Sequence, residues 1–226
     1  MSRLFDSTTE QILCTGTGLH DVATGTVAFW VYPNWAQADG VNHLWISNQL
    51  STPTRGIAAQ KFSDNSLYLG WVNTTDYRVI VATADYTLTP AAWNHFLITY
   101  DDTANETKAY LNGAQIGSTV ITLVLPTSTD TFTIGNTPTT GLNANSRIAE
   151  VAYWDIVVNA AEINSLANYV RPSGIRAASL VDFWPLIGDE SPEPDLGSGN
   201  FDGTVTGATQ ADHPPMVTGG GGGGQG

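Results

Sequence analysis

The segment that decides the fold runs from Asn94 to Gly113 and reads NHFLITY-DDTANET-KAYLN-G. Apolar and polar residues alternate with period two on both sides of the polar loop, the pattern of half-buried β-strands. The Asn112-Gly113 pair at its end is a strong signal for a two-residue hairpin turn, because both residues tolerate positive φ. With AQIGS after the turn, the segment predicts a three-stranded antiparallel meander.

A second decisive strand is Thr26–Tyr32, TVAFWVY. Val27, Phe29 and Val31 share one face of this strand, and the opposite face is also apolar, so it is expected to lie in the centre of a sheet that is covered on both sides. Many further short period-two runs follow at close spacing, which is typical of an antiparallel sandwich. The clearest of these are Leu67–Val72, Thr131–Ile134 and Arg147–Asp155, and the weaker ones are Leu4–Asp6, Gln11–Cys14, His43–Ser47, Gly56–Lys61, Tyr77–Val81, Val120–Leu123 and Ser179–Trp184.

One short helix is expected after residue 159. Asn159 can cap its first turn and Glu162, three residues on, completes a capping box. Ile163 and Leu166 then fall on one face, and Pro172 prevents the helix from continuing.

Charge excludes several classes of partner. The 226 residues include 21 acidic and 8 basic side chains, a formal net charge of −13. A protein that binds nucleic acid through its phosphates needs clustered Lys and Arg, so nucleic acid and anionic membranes are not expected partners. No apolar stretch is long enough for a transmembrane helix, and the first residues carry no apolar signal core as written. The one cysteine, Cys14, is expected to be buried and inert.

Several segments in one order resemble the laminin-G-like, concanavalin A-like jelly-roll superfamily, which includes pentraxin-like domains. The resemblance covers roughly residues 3 to 170 and is carried by LFD, EQI, TVAFWVYP, WNHFLITYD, KAYLNG, FTIGN, RIAEVAYW and AEI. It implies an all-β fold: an antiparallel jelly-roll β-sandwich of about twelve strands with one short helix.

The C-terminal part extends the resemblance out of order. The runs LVDFWPL (180–186), GSGN (197–200) and GTVTGA (203–208) resemble the segment that often precedes the opening hairpin in this family. We therefore expect the chain to fold back onto the sandwich, as in a permuted arrangement; the alternative is the start of a second domain. The predicted organisation is a sandwich over 1–187, an acidic Pro/Gly-rich loop with a returning strand at 204–208 within 188–217, and a flexible glycine-rich tail over 218–226.

The superfamily includes glycoside hydrolases, whose two carboxylates usually alternate on one strand as Glu-x-Asp-x-x-Glu. No such run is found, and Glu150 and Asp155 would point to opposite faces of their strand. The sequence therefore predicts a protein that is not an enzyme, with a hydrolase or lyase of unrecognised site as an open alternative. His95 is expected to be structural.

Two kinds of binding site are suggested. Trp and Tyr side chains exposed on a sheet or rim can stack on sugar rings, and Trp35, Tyr32 and Tyr77 are the candidates, with Trp35 in a loop after TVAFWVYP. Many relatives hold calcium in rim loops, so the resemblance makes calcium the one plausible cofactor, with Asp64, Asp101 and Asp102 as candidate ligands.

The predicted function is a non-catalytic binding or structural module. The first hypothesis is a virion surface component, such as a bacteriophage capsid decoration or fibre protein, whose partners are other structural proteins of the particle or further copies of itself. The alternative is a secreted or cell-surface glycan-binding, lectin-like adhesion domain.

Overall fold

The computed structural model describes residues 1–15, 23–48, 56–72, 76–121, 131–136, 142–188 and 191–217, with the backbone alone at 72, 76 and 77. These residues form fifteen strands and one α-helix. The strands are β1 (Ser2–Phe5), β2 (Gln11–Cys14), β3 (Thr24–Pro33), β4 (His43–Ser47), β5 (Gly56–Lys61), β6 (Leu67–Val72), β7 (Asp76–Val81), β8 (Asn94–Asp101), β9 (Glu106–Leu111), β10 (Ala114–Ile121), β11 (Phe132–Ile134), β12 (Ser146–Trp154), β13 (Leu180–Trp184), β14 (Gly203–Thr206) and β15 (Thr209–Ala211). Helix α1 is Ala160–Ala167.

The strands form two antiparallel sheets. Sheet A has the order β10-β9-β8-β3-β12-β1-β15, with β13 also paired to β12, and sheet B has the order β14-β2-β11-β4-β5-β6-β7. The predicted meander is β8, β9 and β10, and the predicted hairpin turn joins β9 to β10 at Asn112-Gly113. The expected all-β jelly-roll sandwich is confirmed, with fifteen strands in place of about twelve.

Strand β3 lies at the centre of sheet A, between β8 and β12, as its two apolar faces predict. Its inner residues Val27, Phe29 and Val31 pack into the core between the sheets. On the outer face Ala28 belongs to a second apolar cluster that includes Ile163 and Leu166 of α1. Strand β3 therefore packs against the core between the sheets with one face and against α1 with the other.

Helix α1 begins where the sequence predicts. The Asn159 side chain accepts hydrogen bonds from the backbone N–H groups of Ala161 and Glu162, and the Glu162 carboxylate accepts from the Asn159 N–H at 2.8 Å. This capping box satisfies backbone donors that would otherwise have no partner at the helix start. None of the described helices is long and apolar enough to span a bilayer.

The segment after residue 176 returns to both sheets. Strand β13 pairs with the second half of β12, β14 pairs with β2, and β15 pairs with β1. The returning strand predicted at 204–208 corresponds to β14. At the end of this path the Ser2 hydroxyl donates to the Asp212 carbonyl at 2.6 Å, so residue 212 lies beside the start of β1.

Removal of residues 177–217 is expected to prevent cooperative folding. It takes away one of the two strand partners of β1, of β2 and of the second half of β12, and it empties the pocket that the buried Trp184 fills. Circular dichroism melts would check this, with removal of 218–226 alone as the control. A rearranged chain that carries 177–217 ahead of residue 1, through a short linker, should recover a cooperative transition. A truncated protein that melts like the full chain would contradict the fold-back.

Candidate functional site

A row of half-exposed side chains crosses the outer face of sheet A at the end where β3 finishes. Tyr32 lies near the end of β3 and is the register partner of Arg147 on β12. Trp93 directly precedes Asn94, the partner of Val31 on β8, so it lies on the other side of Tyr32. We call Trp93, Tyr32 and Arg147 the sheet-A shelf.

The rings of the sheet-A shelf are arranged edge to face. The centroids of Tyr32 and Trp93 are 5.6 Å apart and their planes meet at 69°. The guanidinium carbon of Arg147 lies 4.4 Å from the centre of the Tyr32 ring, which is the distance of a cation–π contact. The shelf therefore presents apolar ring surface next to a fixed set of hydrogen-bond donors.

A carboxylate completes the polar side of the shelf. Arg147 Nη1 lies 3.4 Å from Oδ2 of Asp212, whose side chain is 93% exposed. The backbone of Asp212 is held by Ser2, as described above. A donor fork and an acceptor carboxylate thus stand side by side at the edge of two aromatic rings, a combination that can bond hydroxyl groups in pairs.

The residues next to the shelf on the same face of sheet A are buried and neutral. Trp30, two residues before Tyr32, is covered by the Tyr169 ring at a centroid distance of 4.5 Å and an angle of 8°. His95 lies 4.9 Å from Trp30, and burial lowers its pKa to about 3. His95 is therefore a neutral, packed neighbour of the shelf, in agreement with its predicted structural role.

Trp35 was expected to be exposed, but the structure buries it. Only 6% of its surface is accessible, and its ring lies parallel to that of His43 at 4.1 Å. The indole N–H donates to the Ala144 carbonyl and lies 3.2 Å from the Ser146 hydroxyl. Both partners lie more than a hundred residues away in the chain, so loop position gave no sign of this burial.

Trp35 belongs to a buried ionic cluster. The fully buried Lys61 ammonium donates to Asp39 at 2.6 Å and lies 5.2 Å from the Trp35 ring centre. His43 Nε2 lies 2.7 Å from the second Asp39 oxygen. Burial by itself would raise the Asp39 pKa, but the hydrogen bonds from Lys61 and His43 outweigh it and the pKa is lowered; burial lowers the pKa of His43. The cluster ties the loop after β3 to β5.

Asp39→Ala should lower the free energy of unfolding by about 2–4 kcal/mol, because it leaves the Lys61 charge buried without its carboxylate. Urea denaturation at neutral pH measures this. The control is Glu106→Ala, which removes the partner of the part-exposed Lys108 and should cost less than about 1 kcal/mol. If the two substitutions lower the free energy of unfolding equally, burial of the Lys61–Asp39 pair does not add to its contribution to stability.

The other predicted site residues do not come together. Tyr77 lies in β7, but its side chain is outside the described residues. Asp64 accepts a backbone bond from Ser66 in the turn after β5, whereas Asp101 accepts from two backbone N–H groups in the turn after β8. Asp101 pairs with Thr24 at the start of β3, whereas the turn that contains Asp64 is hydrogen-bonded to the loop after the end of β3. Asp101 and Asp64 therefore lie at opposite ends of the sandwich.

The predicted calcium ligands therefore do not form one site. Asp102 follows Asp101 at the β3 start and contributes its backbone N–H to the Ala23 carbonyl. Within the described part of the chain, no three His, Cys, Asp or Glu side chains are placed to hold a metal ion. Asp189 and Glu190, two further acidic residues that the sequence places in a loop, lie outside the described residues. Calcium stays a prediction that these carboxylates do not fit.

The structure does bring two carboxyl groups together, and sequence reasoning missed them. Asp182 on β13 is fully buried and faces Asp195 in the returning segment. Asp195 accepts backbone hydrogen bonds from Phe183, Gly197 and Phe201 at 2.7–3.0 Å. Burial raises the pKa of Asp182 to about 8, and the nearby Asp195 charge adds to the effect. Asp195 therefore organises a turn, with Asp182 as a protonated neighbour at neutral pH.

Asp182 should make the protein less stable as pH rises from about 4 to about 8. The folded state keeps a proton on Asp182 that the unfolded chain, with a pKa near 3.8, releases over this window, so rising pH favours unfolding. Asp182→Asn, which keeps a hydrogen-bond donor, should flatten the dependence. Urea midpoints at pH 5 and pH 9 measure it, with the exposed Asp155→Asn as control. Parallel curves for wild type and Asp182→Asn would refute this account.

Glu150 is also buried, at a bulge in β12 where its φ is +52°. Its Oε1 atom lies 3.2 Å from Nε2 of His213 and 3.5 Å from Nη2 of Arg171. A positive φ in a residue with a side chain costs about 1–3 kcal/mol and persists only where the surroundings fix it. Glu150 thus anchors the end of the returning segment through His213. Asp155, the other acidic residue of this stretch, is exposed and does not face Glu150.

Comparisons with known proteins agree with this architecture. Residues 6–164 match the Laminin_G_3 family of the concanavalin A-like lectin/glucanase superfamily, and the chain belongs to this family. No curated protein sequence matches the chain. A Bacteroides ovatus protein described as a candidate carbohydrate-binding protein shares the fold over 96% of this chain, with a TM-score of 0.67 and 16% identity. The chain spans 62% of that protein's length.

Two further solved structures show the same fold at lower similarity. A heptameric SAP-like pentraxin from Limulus polyphemus matches with a TM-score of 0.52 and 15% identity, over 71% of this chain and 76% of the pentraxin. A structure of botulinum neurotoxin type C, whose cell entry is described as dependent on interaction with two ganglioside molecules, matches with a TM-score of 0.51 and 17% identity, over 70% of this chain and 42% of the matched chain. At these identities the likeness concerns the fold.

Proposed function

We propose that this protein is a non-catalytic, glycan-binding module and that the sheet-A shelf is its binding site. The observation that carries the proposal is the row of Trp93, Tyr32 and Arg147, half-exposed at one end of the outer face of sheet A. Aromatic rings pack against the apolar C–H face of a sugar, and a guanidinium beside a carboxylate matches adjacent sugar hydroxyls. Carbohydrate-binding and ganglioside-binding neighbours support the same class of ligand.

The ligand class follows from the chemistry of the shelf. The Arg147 donors are already faced by the Asp212 carboxylate, so the pair offers both donors and acceptors with little net local charge. A neutral saccharide needs both, whereas a polyanion would meet Asp212 and the net charge of −13. We therefore expect neutral hexose-containing glycans to bind better than highly sulfated or phosphorylated ones.

Trp93→Ala and Arg147→Ala should each weaken glycan binding at least about 10-fold, because each removes a central contact of a small binding surface. A printed array of neutral, sialylated and sulfated glycans, followed by calorimetry, measures the loss. Lys108→Ala is the matched control, since Lys108 is a cation on the same sheet that pairs with Glu106. An array on which the wild-type protein binds no glycan would overturn the proposed function.

The place where the module is displayed stays a prediction. A virion surface component, such as a capsid decoration or fibre protein, and a secreted or cell-surface adhesion domain both accommodate a glycan-binding sandwich. Detection of the chain in purified particles, with its copy number, separates the two. The absence of catalysis is likewise tested directly, by incubation with polysaccharides and assay for new reducing ends.

A further inference from the structure

A second aromatic cluster lies on the other side of the sandwich. Phe62, directly after β5, and Tyr68 on β6 have ring centroids 4.4 Å apart, and their planes meet at 62°. The Arg78 guanidinium carbon lies 4.8 Å from the centre of Tyr68 and 5.8 Å from that of Phe62. We call Phe62, Tyr68 and Arg78 the sheet-B cluster.

The sheet-B cluster lies on the outer face of sheet B, near its β7 edge. Tyr68 is the register partner of Gln60 on β5 and of Ile80 on β7. The inward-facing neighbours Leu67 and Leu69 are fully buried in the core, so Tyr68 points away from it. All three members of the cluster are half-buried, and Ile80 beside them is 52% exposed.

The two clusters repeat one arrangement. In each, a guanidinium lies over a tyrosine ring at 4.4 to 4.8 Å, and a second aromatic ring meets that tyrosine at a steep angle. Both clusters also lie at the same end of the sandwich, because the turn after β5 is bonded to the loop after β3: Gly40 donates to Asn65, and Ser63 donates to Asn42. They differ in the layer that carries them and therefore face opposite directions.

We infer that the sheet-B cluster is a second saccharide-binding site and that one chain binds two glycan ligands at once. This inference rests on the proposed function of the sheet-A shelf. Tyr68 and Phe62 would contact the apolar face of a sugar ring, and the Arg78 fork would donate to its hydroxyls. Because the two sites face apart across two packed sheets, one short oligosaccharide does not reach both. The chain would bridge two glycan strands of a dense surface.

The experiment compares four proteins on arrays printed with neutral polysaccharides and sialylated glycans at low and high density. They are the wild type, Trp93→Ala, Tyr68→Ala and the double variant, with Lys108→Ala as control. At high density each single variant should lose about 10- to 100-fold of the apparent affinity, since loss of one site removes avidity. The double variant should show no binding. Calorimetry with a soluble glycan from the array should give two sites for the wild type and one for each single variant.

Several results would overturn the inference. If Trp93→Ala abolishes binding and Tyr68→Ala leaves affinity and stoichiometry unchanged, the second site is refuted and the proposed function stands. If the wild type binds no glycan, both are refuted. If Tyr68→Ala changes the oligomeric mass in light scattering and leaves glycan binding intact, the cluster is a contact between copies of the chain. Should Tyr68→Ala unfold, Arg78→Gln serves in its place and is judged by the same outcomes.

Discussion

The constraint on which the structure depends is that β3 is apolar on both faces and so must be covered by two different layers. Its inner face is covered by sheet B. Its outer face is covered by α1 around Ala28 and, nearer the end of the strand, by Tyr169 over Trp30. The outer cover stops there, and Tyr32, the next outward residue, is left half-exposed. The sheet-A shelf is therefore a consequence of a cover that is shorter than the strand beneath it.

Local sequence signals predicted the parts of the fold that local physics determines. The Asn112-Gly113 turn, the two apolar faces of β3 and the Asn159–Glu162 capping box each act within a few residues, and each is where the sequence places it. Tyr32 could be nominated as a ligand residue because it lies at the end of such a strand. Its partners Trp93 and Arg147 come from distant segments, so the shelf as a unit could not be read from the sequence.

Trp35 and Asp182 were beyond sequence reasoning for the same reason. Trp35 lies in a loop where the sequence suggests exposure, but Lys61, His43 and the residues at the start of β12 enclose it. Asp182 is the one charged residue in the apolar run LVDFW, and nothing in that run indicates the Asp195 carboxyl group that faces it in the returning segment. In both cases the burial of a polar group depends on contacts made by a part of the chain far away in sequence.

The returning segment also explains why buried carboxylates gather on one side of the sandwich. Asp195, Glu193 and the Glu150–His213 contact all involve chain after residue 190, and the Glu193 carboxylate accepts from buried Arg3 at 2.6 Å. Each fixes a turn or a strand end that has few apolar side chains of its own. A segment rich in Gly and Pro buries little hydrophobic area, so hydrogen bonds to charged acceptors, which are stronger than neutral ones, hold it in register.

The placement of Arg147 and Arg78 bears on the ligand that is proposed for this surface. Arg147 and Arg78 lie over tyrosine rings in a protein with a net charge of −13, so their charge acts at contact distance and not as a long-range field. Surface fields of this sign slow the approach of polyanions and leave neutral molecules unaffected. Recognition then depends on ring faces and directed hydrogen bonds, whose strength changes little with salt. The net charge and the position of Arg147 and Arg78 over tyrosine rings together support the proposed preference for neutral glycans.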